Sequence, residues 1–188
     1  MNQKYEFTGE TTNRFGHTLH RIKAISSFGS VKKGDIGGWI ETEENLSASG
    51  NAWVSGNAWV SGNARVSDDA RVSGNAWVSD DALVFGKARV SDDALVSGKA
   101  RVSGKARVSG NARVFGEYDF ITMGPIGSRS DITTFYRLKQ GGIGVNCGCF
   151  NGTLDEFEAA VHETHAGNEH EKAYMAAIRM AKEIMIHD

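Results

Sequence analysis

The residues of this chain that are best suited to bind a small ligand fall in one short polar segment of the C-terminal third. The candidate set is Ser128, Arg129, Ser130, Asp131 and, slightly later, Arg137. Glycine and serine let backbone N–H groups converge, and an arginine guanidinium donates paired hydrogen bonds to a phosphate or carboxylate. We therefore predict an anion-binding site here, and the alternative is an ordinary polar turn between two strands.

Two cysteines and two histidines have the residue types of a zinc site. They are Cys147, Cys149, His162 and His165. One residue between the cysteines is fewer than the two to four that are usual in zinc sites. Alternation of the cysteines with Ile143 and Val145 predicts instead a single buried strand face, on which free cysteine behaves as a small apolar side chain. We expect no metal and no cofactor, and the four residues remain the alternative metal set.

A third cluster places histidines among glutamates near the C-terminus. His162, His165 and His170 lie close to Glu163, Glu169 and Glu171. A partly cationic, solvated helix end accounts for this composition. A pH-sensing or metal-binding role is the alternative.

The elements that must position these groups follow a long stretch with a six-residue period. Alanine recurs at every sixth position from Ala52 to Ala112, and valine from Val54 to Val114. A short period held over so many copies is typical of a solenoid. Ala-x-Val predicts a very short strand with both side chains directed inwards, and the Gly-Asn, Asp-Asp or Gly-Lys pairs predict corners. With three corners to a closed coil, three hexads form one turn.

Charges support this count, because Asp69 would then stack beside Lys87, and Asp81 beside Lys99, on rungs about 4.8 Å apart. The period also extends upstream into an irregular first coil. There Ile36 and Ala48 fall in the valine phase, and Ile40 and Leu46 in the alanine phase.

The sequence divides into three parts. Residues 1–48 are predicted to form an N-terminal cap and the irregular first coil, with HRIKAI as the capping strand. Residues 49–116 form the hexapeptide-repeat β-helix. Residues 117–188 form a small α+β module, with strands DITTFYRLK and GIGVNCGCF joined by a hairpin turn, and two helices. Thr153 and Glu156 have the spacing of a capping box at the start of the first helix.

The Val-Ser-Gly-Asn-Ala-x hexads resemble those of left-handed parallel β-helix proteins. Combined with HRIKAISSFGSVKKGDIGGWIETEENLS upstream, they are similar to bacterial and prophage proteins of the YdcK type. The wording GPIGSRSD, TTFYR and GCFNGTLDEF is similar to tail modules of phage and prophage proteins. The resemblance implies a mainly β chain, a left-handed parallel β-helix with three hexads per coil followed by a small α+β domain, and a phage-encoded protein.

Some proteins with such repeats are acyltransferases, which usually place a histidine base in a groove between the subunits of a trimer. None of the six histidines of this chain lies in the repeat, and no loop interrupts the hexads. A base must reach the proton of its acceptor, so the repeat offers no catalytic residue. We expect no enzyme, and an acyltransferase-like activity is the last alternative.

The residue between each alanine and valine points outwards, and grouping it by every third hexad gives three faces. The arginine face is Trp53, Arg71, Arg89 and Arg107. The tryptophan face is Trp59, Trp77, Leu95 and Arg113, with Phe115 at its end. The third face is Arg65, Leu83 and Arg101.

The tryptophan face is too apolar for ordinary surface, so we expect a partner chain or the C-terminal module to cover it. A homotrimer would use Trp59, Trp77, Leu95 and Phe115 as its interface. On the arginine face the side-chain stems would shield strand edges, and the alternative is an anion-binding ladder.

Composition limits the remaining possibilities. The formal net charge is -2, which gives no global basic field for nucleic acid. The N-terminus lacks the apolar core of a secretory signal, no stretch is long enough for a membrane span, and a reduced cytoplasmic setting suits two cysteines.

The expected function is therefore that of a non-enzymatic oligomeric binding protein in the host cytoplasm, with the β-helix as a trimerisation stalk. Its C-terminal module would bind an anionic ligand, such as a nucleotide signal of host defence, or a host protein. The alternative is a structural protein of virion assembly.

Overall fold

The computed structural model describes residues 3–116 and 118–185. The chain is mainly β, with a β-solenoid of about four turns followed by an antiparallel sheet and two helices. The predicted fold class is confirmed at this level. Within the described residues, no helix is both long and apolar enough to cross a membrane.

The N-terminal end of the solenoid is closed by an antiparallel extension of one of its sheets. The strands are β1 (Tyr5–Arg14), β2 (His17–Ala24) and β3 (Ile36–Ile40), in that order, and β3 then pairs in parallel with the solenoid. Leu19, Ile22 and Ala24 of β2 are almost fully buried, so this strand covers the open end of the core. The segment HRIKAI provides most of β2, whereas β1 was not predicted.

Each hexad contributes one very short strand, and strands that lie three hexads apart pair in parallel. The strands are β4 (Trp53–Val54), β5 (Trp59–Val60), β6 (Arg65–Val66), β7 (Arg71–Val72), β8 (Trp77–Val78), β9 (Leu83–Val84), β10 (Arg89–Val90), β11 (Leu95–Val96), β12 (Arg101–Val102), β13 (Arg107–Val108) and β14 (Arg113–Val114). Three parallel sheets result, and they contain the three predicted faces in the predicted order.

The interior of the solenoid consists of stacked alanines and valines. From Ala52 to Val114 every alanine and valine of the repeat is at most 1% exposed. The backbone N–H groups of one turn donate to carbonyls of the next, as from Trp59 to Ala76 and from Ser61 to Val78. Because each turn pairs its backbone N–H groups with carbonyls of the next turn, every added turn contributes both buried apolar area and backbone hydrogen bonds.

The corners depend on residues in the left-handed backbone region. Glycine usually occupies this position, but Asp68, Asp80 and Asp92 adopt it with φ between 57° and 60°. Each of these carboxylates accepts a hydrogen bond from the glycine N–H of the next turn, as Asp80 does from Gly98 at 3.0 Å. Aspartate tolerates this backbone region better than most residues, and its carboxylate satisfies an amide that lacks a strand partner.

The second residue of each corner forms polar ladders rather than the expected ion pairs. Asn51 donates to Asp69 at 2.8 Å, and Asn63 donates to Asp81 at 3.0 Å. Among the described residues neither aspartate forms an ion pair with the lysine of the next turn. Amide donors on the preceding turn hold these carboxylates instead.

The phase predicted for the first coil is wrong. Ile40 pairs with Val60 and Leu46 bridges to Val66, so both stack on valines instead of alanines. Ile36 and Ala48, expected inside, are exposed, Ile36 to 52%. Two additional residues between Leu46 and Val54 account for the shift, because this corner is wider than those of the regular hexads.

The C-terminal module closes the other end of the solenoid. Its strands are β15 (Phe120–Ile126), β16 (Asp131–Arg137), β17 (Ile143–Cys147) and β18 (Phe150–Thr153), and they form one antiparallel sheet in sequence order. The helices are α1 (Leu154–His165) and α2 (Glu169–Met185). The predicted capping box of Thr153 and Glu156 is present at the start of α1.

Strand β16 joins the two cores. Tyr136, 1% exposed, packs into the solenoid core, and Thr134 accepts a hydrogen bond from the Arg107 N–H at 3.0 Å. Phe135, on the opposite side of the strand, packs with α1 and α2. The alternation of side chains along a strand thus lets β16 contact the solenoid with one face and the helices with the other.

Lys4 provides a pH-dependent test of the N-terminal cap. Its side chain is 4% exposed, its ammonium group donates to the Ser47 carbonyl at 2.8 Å, and it lies 4.8 Å from the ring centre of Phe28. Burial lowers the pKa of Lys4 from 10.5 to about 8. Between these values the unfolded chain binds the additional proton, so this group makes stability rise with pH from about 8 towards 10.5.

We expect the free energy of unfolding of the parent, relative to that of Lys4→Met, to rise by about 2 kcal/mol from about pH 7 to about pH 10. Urea unfolding of both proteins at several pH values measures the difference and cancels the other titrating groups. A difference that is flat with pH would show that Lys4 is not held in a desolvated position.

Candidate functional site

A cleft of about 310 Å³ lies in the C-terminal module, between the sheet and the two helices. Ser128, Arg129 and Asp131 line one side of it. The turn that holds Cys147 and Cys149 lines a second side. The structure therefore brings together most of the predicted anion site and three of the four residues of the alternative metal set, although the sequence treats them as separate features.

The floor of the cleft is apolar and is provided mainly by α1. Phe157 and Val161, 4% and 3% exposed, face it together with the half-buried Phe150 of β18. The cleft thus combines an apolar floor with a few polar groups at the rim, an arrangement that is typical of small-molecule sites. Its volume is at the lower end of the range for such sites, about 300–1,000 Å³.

The turn between β15 and β16 is held against α2 by a contact that only glycine permits. Gly127 has φ 71°, and a β-carbon there would lie within 2.0 Å of the Tyr174 hydroxyl and ring. The turn closes with a hydrogen bond from the Ser130 N–H to the Gly127 carbonyl at 3.1 Å, and Ser130 also has positive φ. This close approach fixes Arg129 at the mouth of the cleft.

Arg129 and Asp131 carry opposite charges at the same cleft without pairing with each other. Among the described residues Arg129 forms no ion pair and no hydrogen bond. One carboxylate oxygen of Asp131 accepts from the N–H of Ile132 at 2.8 Å, which leaves the second oxygen without a donor in the described part of the chain. Both groups are therefore available to a ligand.

Tyr174 and Cys147 form a short polar chain on the inner wall. The Thr133 hydroxyl donates to the Cys147 sulfur at 3.1 Å, and that thiol lies 3.7 Å from the Tyr174 hydroxyl. Burial, followed by the neighbouring Cys147 thiol, raises the pKa of Tyr174 to about 12. Tyr174 is therefore a neutral phenol near neutral pH and is able to donate a hydrogen bond into the cleft.

The predicted single face of Cys147 and Cys149 is wrong. Strand β17 ends at Cys147, Gly148 adopts φ 59°, and Cys149 is exposed on the resulting turn. Within the part of the chain that the structure describes, no group of three or more metal-ligating side chains has the arrangement of a metal site.

Three predicted site residues lie away from the cleft. Arg137, at the far end of β16, pairs with Asp119 at 2.8 Å. His162 is bonded to Glu171 at 2.6 Å, and this contact helps to lower the pKa of Glu171 after the larger effect of the Gly167 N–H. Ser130 is in the correct turn but does not line the cleft.

His165, the remaining member of the alternative metal set, does line the cleft. Its ring lies beside that of Tyr174, with ring centres 5.7 Å apart. It therefore contributes to the wall of the cleft as an aromatic ring.

The tryptophan face is covered in part by the N-terminal hairpin, whereas the sequence predicts a partner chain or the C-terminal module as its cover. Trp59 and Trp77 stack with ring centres 4.2 Å apart. Phe15, at the tip of the β1–β2 hairpin, lies parallel to Trp77 at 5.0 Å. Among the described residues the C-terminal module adds no aromatic ring to this stack. Towards the other end of the face Leu95 is half-buried while Phe115 is 50% exposed.

Sequence reasoning missed the apolar floor and Tyr174 as cleft residues. Phe157, Val161 and Tyr174 have the helical spacing that is typical of core residues, and a residue that lines a small cleft has the same spacing. The signal that did exist was Gly127 immediately before Ser-Arg-Ser, because a glycine there indicates a close approach of the backbone to another group.

Phe15 tests whether aromatic stacking positions the N-terminal hairpin. Its φ of 49° is unfavourable for a bulky residue, so the contact with the tryptophans must offset the strain. We expect Phe15→Ala to lower stability by about 1 kcal/mol, because the stacking is lost while the strain remains. Phe15→Gly should be less harmful by a few tenths to about 1 kcal/mol, because glycine removes the strain.

Chemical unfolding followed by tryptophan fluorescence measures both variants. Equal stability of the parent and the alanine variant would mean that the stack does not hold the hairpin.

Comparison with known families agrees with the solenoid. The model of the YdcK Beta solenoid repeat matches residues 64–80, 88–104 and 106–117. No curated protein matches the chain significantly. The predicted resemblance to YdcK repeats is thus confirmed for these segments, all of which begin within the regular hexads, and the C-terminal cleft lies outside them.

Proposed function

We propose that this protein is a non-enzymatic binding protein whose C-terminal cleft holds a small ligand through an anionic group. The observation that carries the proposal is Arg129, which lies at the mouth of an apolar cleft and has no partner among the described residues. A guanidinium in such a position provides a bidentate donor for a carboxylate or phosphate.

The other cleft residues define the rest of the ligand. Phe157 and Val161 favour an apolar or aromatic body of modest size, and the neutral phenol of Tyr174 supplies one further donor. The described side chains around Arg129 do not include a base and nucleophile in hydrogen-bonded contact, an arrangement that a covalent mechanism would use. Binding therefore explains the cleft better than catalysis does.

The solenoid in this proposal is a rigid support. We infer left-handed coils of three hexads, supported by the resemblance of the hexads and by the pairing of every third strand. Both ends of the solenoid core are covered by strands of the same chain, and such cover disfavours end-to-end stacking of solenoids into a fibre. This arrangement favours a binding protein over a structural protein of virion assembly.

The wider proposal is a phage-encoded homotrimer that acts in the host cytoplasm, where the cleft sequesters an anionic signal of host defence such as a nucleotide. Its support is the resemblance of the tail sequence to phage modules. The trimer is supported by Leu95 and Phe115, the part of the tryptophan face that Phe15 does not stack on.

The cleft is tested with phenyl phosphate and benzoate as probes, and benzyl alcohol as the neutral analogue. We expect the two anions to bind and Arg129→Gln to weaken binding about 10- to 100-fold, because a charged hydrogen-bond donor is lost. Isothermal titration calorimetry measures the affinities. Arg179→Gln, an exposed arginine of α2 outside the cleft, is the matched control and should bind like the parent.

Retention of parent affinity by Arg129→Gln, or equal binding of benzyl alcohol, would contradict an anion site. Native mass spectrometry of the freshly purified protein then shows whether a natural ligand co-purifies with the parent and is missing from Arg129→Gln.

The trimer is tested by size-exclusion chromatography with light scattering. We expect the mass of three chains for the parent and of one chain for the double variant Leu95→Gln with Phe115→Ser, because polar side chains oppose burial of this face. A parent that elutes as a monomer at high protein concentration would exclude the interface.

A further inference from the structure

The arginine face of the solenoid concentrates positive charge in a way that the other faces do not. Arg71 pairs in register with Arg89, and Arg89 with Arg107, so three guanidinium groups occupy consecutive rungs about 4.8 Å apart. Like charges directly opposite each other on neighbouring strands are destabilising. The fold therefore carries a local repulsion that an anion would relieve.

The other two faces avoid this arrangement. On the third face Leu83 separates Arg65 from Arg101. On the tryptophan face the single arginine, Arg113, donates to the Asp93 carbonyl at 3.0 Å. Consecutive arginines are thus a feature of one face and not a general consequence of the repeat.

No carboxylate of the described residues pairs with the three arginines. Arg107 donates one side-chain hydrogen bond, to the Gly148 carbonyl at 3.0 Å, and this neutral acceptor does not cancel its charge. Asp92 lies nearby, where one of its oxygens accepts from the Gly110 N–H at 3.0 Å and from the Ser91 hydroxyl at 3.3 Å, but its single negative charge is outnumbered by the three arginines. The stack of Arg71, Arg89 and Arg107 therefore keeps a net positive charge.

Two adjoining cavities run along this face and share Arg89 and Ser91. The larger, about 350 Å³, extends from Trp53 past Arg71. The smaller, about 220 Å³, continues to Arg107 and to Asn146 of β17. In the larger cavity the hydroxyls of Ser55 and Ser73 add neutral donors, whereas the smaller cavity also contains the Asp92 carboxylate. The two cavities together form a groove that follows the solenoid axis.

We propose that this groove binds a linear oligophosphate chain, with successive phosphate groups held by Arg71, Arg89 and Arg107. Guanidinium groups bind phosphate oxygens in bidentate fashion, and their long flexible stems adjust to the spacing of the phosphates. The site is distinct from the C-terminal cleft and does not depend on it.

The groove has no platform for a base among the described residues. Trp53 is 5% exposed and packs against Phe28 with ring planes at 70°, so its face is not available for stacking. Single-stranded nucleic acid is usually held by both backbone charge and stacked bases. The observations therefore favour the phosphate chain alone over a nucleotide or nucleic acid.

The experiment titrates the full-length protein with inorganic tripolyphosphate, without divalent cations and at constant ionic strength. We expect one tripolyphosphate per chain. The double variant Arg71→Gln with Arg89→Gln should bind at least about 10-fold more weakly. The matched control is Arg65→Gln with Arg101→Gln, which removes the same charge from the third face and should keep the affinity within about threefold of the parent. Circular dichroism verifies that both variants are folded.

An equal loss in the two double variants would overturn the proposal, because it would indicate a general charge effect. Tighter binding of adenosine triphosphate or of single-stranded DNA than of tripolyphosphate at equal phosphate content, measured on Arg129→Gln so that the C-terminal cleft does not contribute, would also overturn it. Arg129→Gln is expected to bind tripolyphosphate like the parent, so failure of this groove and failure of the C-terminal cleft are separable.

Discussion

The width of the solenoid interior is the constraint on which the rest of the molecule depends. Parallel pairing of every third strand brings the three sheets so close together that alanine and valine alone fill the space between them throughout the regular hexads. Because the interior positions are fixed as alanine and valine, sequence variation is confined to the outward position of each strand and to the corners. The surface chemistry of the solenoid is therefore set by which side chains stack on the same face, and each outward residue must be considered together with the residue one turn away.

A core of this kind has two open ends, and this chain covers them with different means. At the N-terminus one sheet simply continues as antiparallel strands, so no new core is required. At the C-terminus β16 packs Tyr136 into the solenoid and Phe135 into a second core. The cleft lies beside that second core, so the solenoid positions the cleft through one shared strand.

The sequence predicted the strand pairing of the regular hexads, but it did not predict the phase of the first coil or the position of the N-terminal hairpin. The three faces could be assigned correctly because, in a strictly periodic solenoid, residues separated by three hexads are neighbours on successive turns. The shift at Leu46 was missed because Ala48 and Ser49 lengthen the corner after it ahead of the regular Gly50-Asn51 pair, so a phase counted back from the hexads is displaced by two residues. Phe15 was missed for a related reason, since a bulky residue at positive φ contradicts its local preference and is stabilised only by rings distant in sequence.

At the cleft, local pattern identified the polar turn but not its surroundings. Arg129 and Asp131 were found because glycine and serine mark a turn, whereas Arg137 was grouped with them by sequence proximity alone. Asp131 and Arg137 stand at opposite ends of the extended strand β16, which separates them by about 20 Å. The turn at Gly148 similarly divided what was predicted to be one continuous strand.

The three-sided register has a consequence for how such a chain can change its length. Loss or gain of one hexad would keep every interior alanine and valine stacked, yet it would turn the C-terminal module by one face relative to the N-terminal hairpin. Loss or gain of a whole coil would alter only the separation between them. The number of hexads therefore sets two quantities, the distance between the two ends of the solenoid and the rotation of one end relative to the other about its axis. A change of one hexad alters the rotation, whereas a change of a full coil alters only the distance.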